Sequence, residues 1–210
     1  SLTEMCLQKL AQQTVPPHRV VVADNGAGDG SLDGVKEQAA AGAYPFMLEI
    51  IDMPGNTGNA GGIARGLERA FSFPDVDAVW ILDDDSWPEP DALACLLSHG
   101  PGTDGMEWPC VRVCKVVDLK QGGELSWPMV LLDEKDGRRI HVTRGDALPE
   151  APFLLTGGAF LGALVPREIH DKVRGPTAGL FIRGEDEEYP WIISRAGFRT
   201  YLVSGSIPVS

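Results

Sequence analysis

The chain has 210 residues, of which 43% are hydrophobic, and this length and composition allow one domain with a substantial core. Thirty acidic residues against 18 lysines and arginines give a formal net charge of -12, a balance that would repel a nucleic-acid backbone. The longest apolar stretch, residues 153–165, is interrupted by glycines and is shorter than the roughly 20 residues of a membrane helix. Composition therefore argues against nucleic-acid binding and against a membrane-spanning segment.

The first half of the chain alternates between predicted helices and predicted strands. Helices are predicted from the apolar periodicity at 2–10, 35–41, 60–71 and from 88–90 to 97, and strands at 19–23, 46–53 and 78–82. Such an alternation is typical of a mostly parallel sheet that helices cover on both faces.

The pattern changes in the second half, where shorter strands are predicted at 111–117, 127–132 and 139–142. One strand at 153–165 and an acidic turn at 183–188 are predicted next, followed by a helical face at 189–196 and a closing strand at 198–203. Pro190 fits this last helix only if the helix begins near Glu187. The fold is therefore predicted to become mixed beyond Gly100.

Three consecutive aspartates, Asp83, Asp84 and Asp85, follow the apolar run 78–82. Ligand sites of parallel α/β sheets lie at the carboxyl ends of strands, and crowded carboxylates attract a divalent cation. Because side chains alternate along a strand, Asp83 and Asp85 are predicted to converge on one face while Asp84 faces the other. The alternative interpretation is a polar turn with solvated aspartates.

Two further loops carry polar residues at strand ends. Asp24 could accept the imide N–H of a uracil or thymine, or it could close an Asx turn with Asn25 and Gly26. The glycine-rich loop at 55–62 resembles a phosphate-binding loop without its lysine, and its glycines could equally allow close backbone packing. Arg65 could bind a diphosphate or the aspartate cluster, or it could form a surface salt bridge.

An acidic run, 185–188, precedes the last predicted helix. Carboxylates there interact favourably with the positive end of the helix dipole, which accounts for two of them. Four are more than this requires, so a general base is predicted among them. The four cysteines and four histidines show no spacing typical of a metal or catalytic site.

Five motifs together resemble the family 2 glycosyltransferases of GT-A fold. They are DNG at 24–26, NTGNAGGIARG at 56–66, ILDDD at 81–85, TGGAF at 156–160 and GEDEEY at 184–189. Within that family they look most like bacterial galactofuranosyltransferases and related rhamnosyltransferases. The resemblance implies one α/β domain, a GT-A-like three-layer sandwich with a mixed, mainly parallel sheet. Its residues 1–100 would bind the nucleotide and 101–210 the acceptor.

The same resemblance implies an inverting, metal-dependent enzyme that moves a galactofuranose- or rhamnose-type sugar from a UDP- or dTDP-sugar to a cell-envelope glycan or glycolipid. Asp83 and Asp85 would hold the donor through Mn2+ or Mg2+, and Asp186 would be the catalytic base with Glu185 beside it. The residues expected to shape the donor site are Asp24, Asn25, Asn56, Gly58, Asn59, Gly61, Arg65, Asp84, Gly157 and Gly158.

The family pattern also includes a strand before the first helix and a metal-binding histidine after the last strand. This chain begins at the helix and ends about where the histidine would lie, so a fragment of a longer enzyme is expected. A cytoplasmic location, peripheral at the inner face of the plasma membrane, fits an envelope acceptor. Two other functions stay open: a nucleotidyltransferase on a similar sheet, and a non-catalytic domain that binds a nucleotide or a partner.

Overall fold

The computed structural model describes the chain except for residues 27, 102–105, 119, 123, 133–135, 149–151, 158–160, 183 and 210. The helices are α1 (Leu2–Ala11), α2 (Asp33–Ala40), α3 (Gly58–Phe71), α4 (Ala92–Ser98), α5 (Arg167–Val173) and α6 (Glu185–Arg195). The strands are β1 (Arg19–Asp24), β2 (Met47–Asp52), β3 (Ala78–Trp80), β4 (Cys110–Asp118), β5 (Glu124–Leu132), β6 (Arg139–Arg144), β7 (Phe153–Gly157), β8 (Ala163–Pro166) and β9 (Arg199–Val209). Short 3-10 turns lie at Gly145–Ala147 and Ala178–Leu180.

The strands form two sheets. β1 and β2 pair in parallel, and the other strands form a seven-stranded sheet in the order β3-β8-β4-β9-β7-β5-β6. Within this large sheet only β4 and β9 run parallel among the described pairings, and the rest are antiparallel. The predicted mixed α/β fold is therefore confirmed, whereas the prediction of a mainly parallel sheet is wrong. Residues 119–123 connect β4 to β5 and residues 133–138 connect β5 to β6, and connections this short allow only antiparallel pairing.

Helices cover both faces of the large sheet, so alternate residues of its central strands pack in two different cores. On β4, Val111 and Val113 pack with α3, α5 and α6, whereas Cys110 and Cys114 pack with α4. A third cluster joins α1 and α2 to the sheet of β1 and β2. The predicted three-layer arrangement is confirmed.

Two elements differ from the sequence-based expectation at 153–173. The predicted single strand is two strands, β7 and β8, and Gly162 just before β8 has a φ of 77°, which only a residue without a side chain adopts easily. Helix α5, directly after Pro166, is not predicted by the sequence pattern, because its seven residues are too few to show a helical period.

A cavity of about 760 Å3 lies between the two sheets. Its walls include residues 18–25 and 75–84, that is, β1 and β3 with their flanking residues, together with apolar side chains of α1 and α3. In the described part of the chain β1 pairs only with β2, and β3 only with β8, so each has one strand edge without a partner strand. None of the described helices is long and apolar enough to cross a membrane.

Candidate functional site

The three aspartates lie in a turn after β3, not on the strand. The strand itself ends at Trp80, although Ile81 still exchanges backbone hydrogen bonds with Gly162 and Ala163 at 2.8 and 2.9 Å. The Ser86 N–H donates to the Asp83 carbonyl at 3.2 Å and closes the turn. Strand alternation therefore does not decide where the carboxylates point. Asp84 is exposed, whereas Asp83 and Asp85 are half-buried.

The end of β9 supports this turn. Ser86 forms a β-bridge with Val209, and the Trp87 N–H donates to the Pro208 carbonyl at 2.8 Å. Because β9 is a central strand of the large sheet, the aspartate turn is fixed to the core of the fold.

Burial and neighbouring negative charge act on both half-buried aspartates. Desolvation, with further contributions from Asp85, Asp84 and Glu185, raises the pKa of Asp83 from 3.8 to about 6. Desolvation and Asp84 also raise the pKa of Asp85, and Lys120 partly opposes this. The site therefore disfavours the ionised form of Asp83 unless a cation is bound.

We expect Asp83→Asn to stabilise the metal-free protein at neutral pH. The pKa of Asp83 is higher in the folded protein than in the unfolded chain, so ionising Asp83 lowers the free energy of unfolding. That free energy is highest below about pH 4 and decreases as the pH rises through about 6. The variant avoids this loss, which corresponds to about 1–3 kcal/mol. Urea unfolding in EDTA at pH 7.5 and pH 4.5 measures the effect: the gain should be clearly larger at the higher pH than at the lower. A variant less stable than the wild type at pH 7.5 would contradict the assigned burial.

The acidic run is the first turn of α6, not a free turn before it. Gly184 precedes the helix with a φ of 96°. Glu188 accepts hydrogen bonds from the Thr177 N–H and hydroxyl at 2.9 and 2.7 Å, so it has a structural role. Glu187 is exposed. This leaves Glu185 and Asp186 for a chemical role. The helix begins two residues before the Glu187 start expected from Pro190, so Pro190 lies in its second turn and has no N–H to donate to the Asp186 carbonyl.

Glu185 is the buried member of this pair, with 4% of its surface exposed. Its Oε1 accepts a hydrogen bond from the Asn59 amide at 3.2 Å, and its Oε2 has no hydrogen-bond partner among the described residues. Asp186 is half-buried, and its Oδ1 accepts from the Glu187 N–H at 3.1 Å.

One cavity of about 190 Å3 brings the acidic residues of both segments together. Asp83, Glu185, Asp186 and Asn59 line it on the polar side, and Trp127 and Ile182 are among its apolar lining residues. The turn after β3 and the start of α6 are thus two sides of one site. Among the described residues, no three His, Cys, Asp or Glu side chains are placed to hold a metal by themselves.

The Asn25 side chain connects the loop after β1 to the start of α3. Its amide donates to the Gly58 carbonyl at 2.8 Å, and its Oδ1 accepts from the Thr57 N–H and hydroxyl at 3.0 and 2.8 Å. Asp24 accepts from the Gly26 N–H at 3.0 Å through Oδ1, which is the Asx turn considered above. Asn25 therefore orders the loop, and its amide is engaged within the protein.

The glycines of the loop before α3 allow close packing. Gly58 has a φ of 69°, and a Cβ there would overlap the Phe181 carbonyl, which accepts the Ala60 N–H at 3.0 Å. A Cβ on Gly61 would meet the Thr57 side chain at 2.5 Å. The N-terminus of α3 is thereby held against the segment that leads into α6.

Two other candidate residues make local contacts. Asn56 accepts the Gly58 N–H at 2.9 Å, and Arg65 is exposed in an ion pair with Glu68 one turn along α3. Of the interpretations left open for Arg65, the structure shows the surface salt bridge. Gly157 ends β7 opposite Val130, and Gly158 lies outside the described residues.

Trp127 and Ile182 are site residues that the sequence reasoning did not single out. For Trp127 the sequence does carry one signal, the neighbouring Pro128, because a proline inside a predicted strand indicates an edge or a bulge. A side chain beside such an irregularity is often redirected toward a site.

A family model described as Glycosyl transferase family 2 matches residues 2–122 of the chain. Two curated relatives are galactofuranosyltransferases named GlfT1. The one from Mycolicibacterium smegmatis is 26% identical over 195 residues, which cover 90% of this chain and 59% of the relative. The one from Mycobacterium tuberculosis (strain CDC 1551) is 29% identical over 190 residues, 89% of this chain and 58% of the relative. The chain thus spans less than two thirds of the length of the curated relatives it matches.

A solved structure shares the fold. The crystal structure of GalNAc-T7 with UDP, GalNAc and Mn2+ superposes with a TM-score of 0.66 at 14% identity, over 91% of this chain and 37% of that chain. At this level of identity the likeness concerns the fold alone.

Proposed function

The chain belongs to glycosyl transferase family 2, and from that premise we propose that it transfers a sugar from a nucleoside diphosphate donor to a glycan or glycolipid of the cell envelope. The observation that supports this most strongly is the shared cavity, which places Asp83 beside Asp186 and Glu185. A donor held at the turn after β3 and an acceptor next to α6 would meet there.

The residues of the aspartate turn fit a divalent cation. Among the residues that the structure describes, the buried Oε2 of Glu185 has no hydrogen-bond partner, and Asp83 lies close enough for Glu185 to raise its pKa. A positive charge would stabilise the ionised carboxylates of both residues. Asp83 and Asp85 would hold Mn2+ or Mg2+ together with the donor diphosphate, because Mg2+ is commonly bound by one or two carboxylates plus substrate phosphates. When bound, the cation neutralises charge on the departing nucleoside diphosphate.

The chain's own residues supply the remaining steps. Asp186 takes the proton of the acceptor hydroxyl, whose oxygen attacks the anomeric carbon from the face opposite the diphosphate. The bond to the leaving oxygen breaks, and the configuration inverts. Glu185, fixed by Asn59, places negative charge beside this carbon, where positive charge develops during transfer.

The donor is proposed to be a UDP-sugar or dTDP-sugar of the galactofuranose or rhamnose type. The GlfT1 relatives support the galactofuranose type, and the solved structure with UDP and Mn2+ supports the uridine nucleotide. Asp24, at the end of β1, is the proposed contact for the base. An envelope acceptor fits a cytoplasmic protein that is peripheral at the inner membrane face.

The test is a transfer assay with UDP-galactofuranose and dTDP-rhamnose on envelope glycan acceptors with Mn2+ present. Mass spectrometry should detect an acceptor enlarged by one sugar, and NMR should show the inverted anomeric configuration. Binding of UDP without a product from any donor would instead favour a non-catalytic nucleotide-binding domain. Retention of configuration would contradict the assigned mechanism.

We also propose that the cavity between β1 and β3 accommodates a further extended strand. Both strands present an edge to this cavity, and unpaired backbone groups inside a protein are costly. A parallel or antiparallel strand of about five to six residues would satisfy both edges and join the two sheets into one.

Hydrogen exchange tests this strand. We expect the backbone amides of 19–24 and 78–82 to exchange much more slowly when an apolar segment that can form a strand is added to the protein. Amides of the β5–β6 pair, far from the cavity in strand order, provide the internal control. Unchanged exchange at β1 and β3 would show that the cavity takes no strand.

A further inference from the structure

The 190 Å3 cavity has an apolar side that the proposed proton transfer does not use. Trp127 of β5 is 37% exposed there, although its neighbours Leu125 and Met129 on the same strand are only 7% and 3% exposed. Ile182, which lines the same cavity, is 63% exposed. Exposed large apolar side chains that line a concave site are typical of ligand contacts.

The backbone explains why this indole is directed out of the core. The pairing of β5 with β6 shifts its register between Glu124 and Met129, and Pro128 in this interval has no N–H to donate. Such a bulge bends the strand and redirects a side chain. Ile182 directly follows Phe181, whose φ of 63° is unusual for a residue other than glycine. Both apolar side chains thus come from irregular backbone next to the site.

We infer that Trp127, together with Ile182, forms the platform for the terminal sugar ring of the acceptor and determines which acceptor is used. This inference rests on the proposed function. A sugar ring has one face of C–H groups, which an indole can cover, and a rim of hydroxyls, which carboxylates can accept from. The cavity offers this combination, with Asp186 and Glu185 on its polar side.

Two observations favour the acceptor over the nucleotide as the occupant. Trp127 belongs to the β6 end of the large sheet, whereas the proposed base contact, Asp24, lies on the other sheet. Asp186, the proposed base, lines the same cavity and has to reach an acceptor hydroxyl. At about 190 Å3, the cavity is smaller than the roughly 300–1,000 Å3 of most small-molecule sites, a size that suits a single ring.

Saturation-transfer NMR on the protein loaded with diamagnetic Mg2+ and UDP measures the platform without requiring turnover. The probes are methyl β-galactofuranoside and methyl α-rhamnopyranoside, compared for the wild type, Trp127→Ala and Trp127→Phe. We expect at least one glycoside to bind the wild type and to bind Trp127→Ala about tenfold more weakly, with partial recovery in Trp127→Phe. Trp191→Ala is the matched control, because this exposed indole on α6 does not line the cavity.

Calorimetry with UDP and with the UDP-sugar tests whether Trp127 contacts the nucleotide or the donor sugar instead of the acceptor. Unchanged affinity of Trp127→Ala for both supports the acceptor assignment and shows that the variant is folded. Weaker binding of UDP would assign the indole to the base, and weaker binding of the UDP-sugar alone would assign it to the donor sugar; either would overturn the inference. Equal glycoside binding by all variants, or none by the wild type, would also overturn it. A wild type that binds a glycoside through Trp127 without transferring sugar would refute the proposed function but not the platform.

Discussion

Asp186→Asn is expected to lower the rate of sugar transfer by about 100- to 10,000-fold, the usual contribution of a general base, while UDP binds as in the wild type. Asparagine has nearly the shape of aspartate but cannot take the acceptor proton. Its side-chain oxygen can still accept the Glu187 N–H, so the start of α6 should remain intact. Steady-state kinetics with saturating donor, together with calorimetric UDP titration, measures both quantities.

Glu187→Gln is the matched control, since Glu187 lies in the same helical turn and is exposed. It should leave the rate within a factor of about two, as is usual for surface changes away from a site. If Asp186→Asn loses UDP binding, Asp186 contacts the donor and is not the base. If transfer persists, Glu185 becomes the candidate, because it is the other carboxylate of α6 in the cavity.

Asp83→Asn and Asp85→Asn are each expected to remove the part of UDP affinity that depends on Mn2+. Each replaces a charged oxygen ligand with a neutral amide, and the loss should exceed the roughly 10–100-fold typical of outer-shell changes. UDP titrations with Mn2+ and with EDTA measure the difference directly. In EDTA the variants and the wild type should bind UDP alike.

Asp91→Asn controls for the loss of one negative charge near the turn, since Asp91 is exposed just before α4. It should keep the full Mn2+ dependence. A loss of Mn2+ dependence in only one of Asp83→Asn and Asp85→Asn would mean that a single aspartate holds the cation. Retention in both would place the cation elsewhere.

Local sequence pattern predicts the first half of the fold better than the second. Helix α3 shows its apolar period over 14 residues, and β1 is a β-branched run between clear turns, so both are visible in the sequence. The direction of β7, β8 and β9 depends on partners that are distant along the chain, such as Leu154 with Tyr201. Local pattern carries no information on such pairings. The short connections before and after β5 did carry a local signal for antiparallel pairing, which the expectation of a mainly parallel sheet did not use.

The candidate site, too, could be predicted only in part from the local sequence pattern. The motifs place acidic residues at the end of β3 and at the start of α6, but their division of roles depends on tertiary contacts. Glu188 is occupied by Thr177, and Glu185 by Asn59, which lies 126 positions away in sequence. The positions of Asp83 and Asp85 follow from a turn fixed to β9 and not from strand alternation. Pro128 indicates an irregular strand, but the location of Trp127 at a cavity follows only from the structure.

The most direct test of the central claim, that the turn after β3 holds the donor diphosphate through a divalent cation, is calorimetry of the wild type with UDP in Mn2+ and in EDTA. The claim predicts that UDP binds with clear heat in Mn2+ and far more weakly in EDTA. Equal binding in both solutions, or no binding in either, would contradict it.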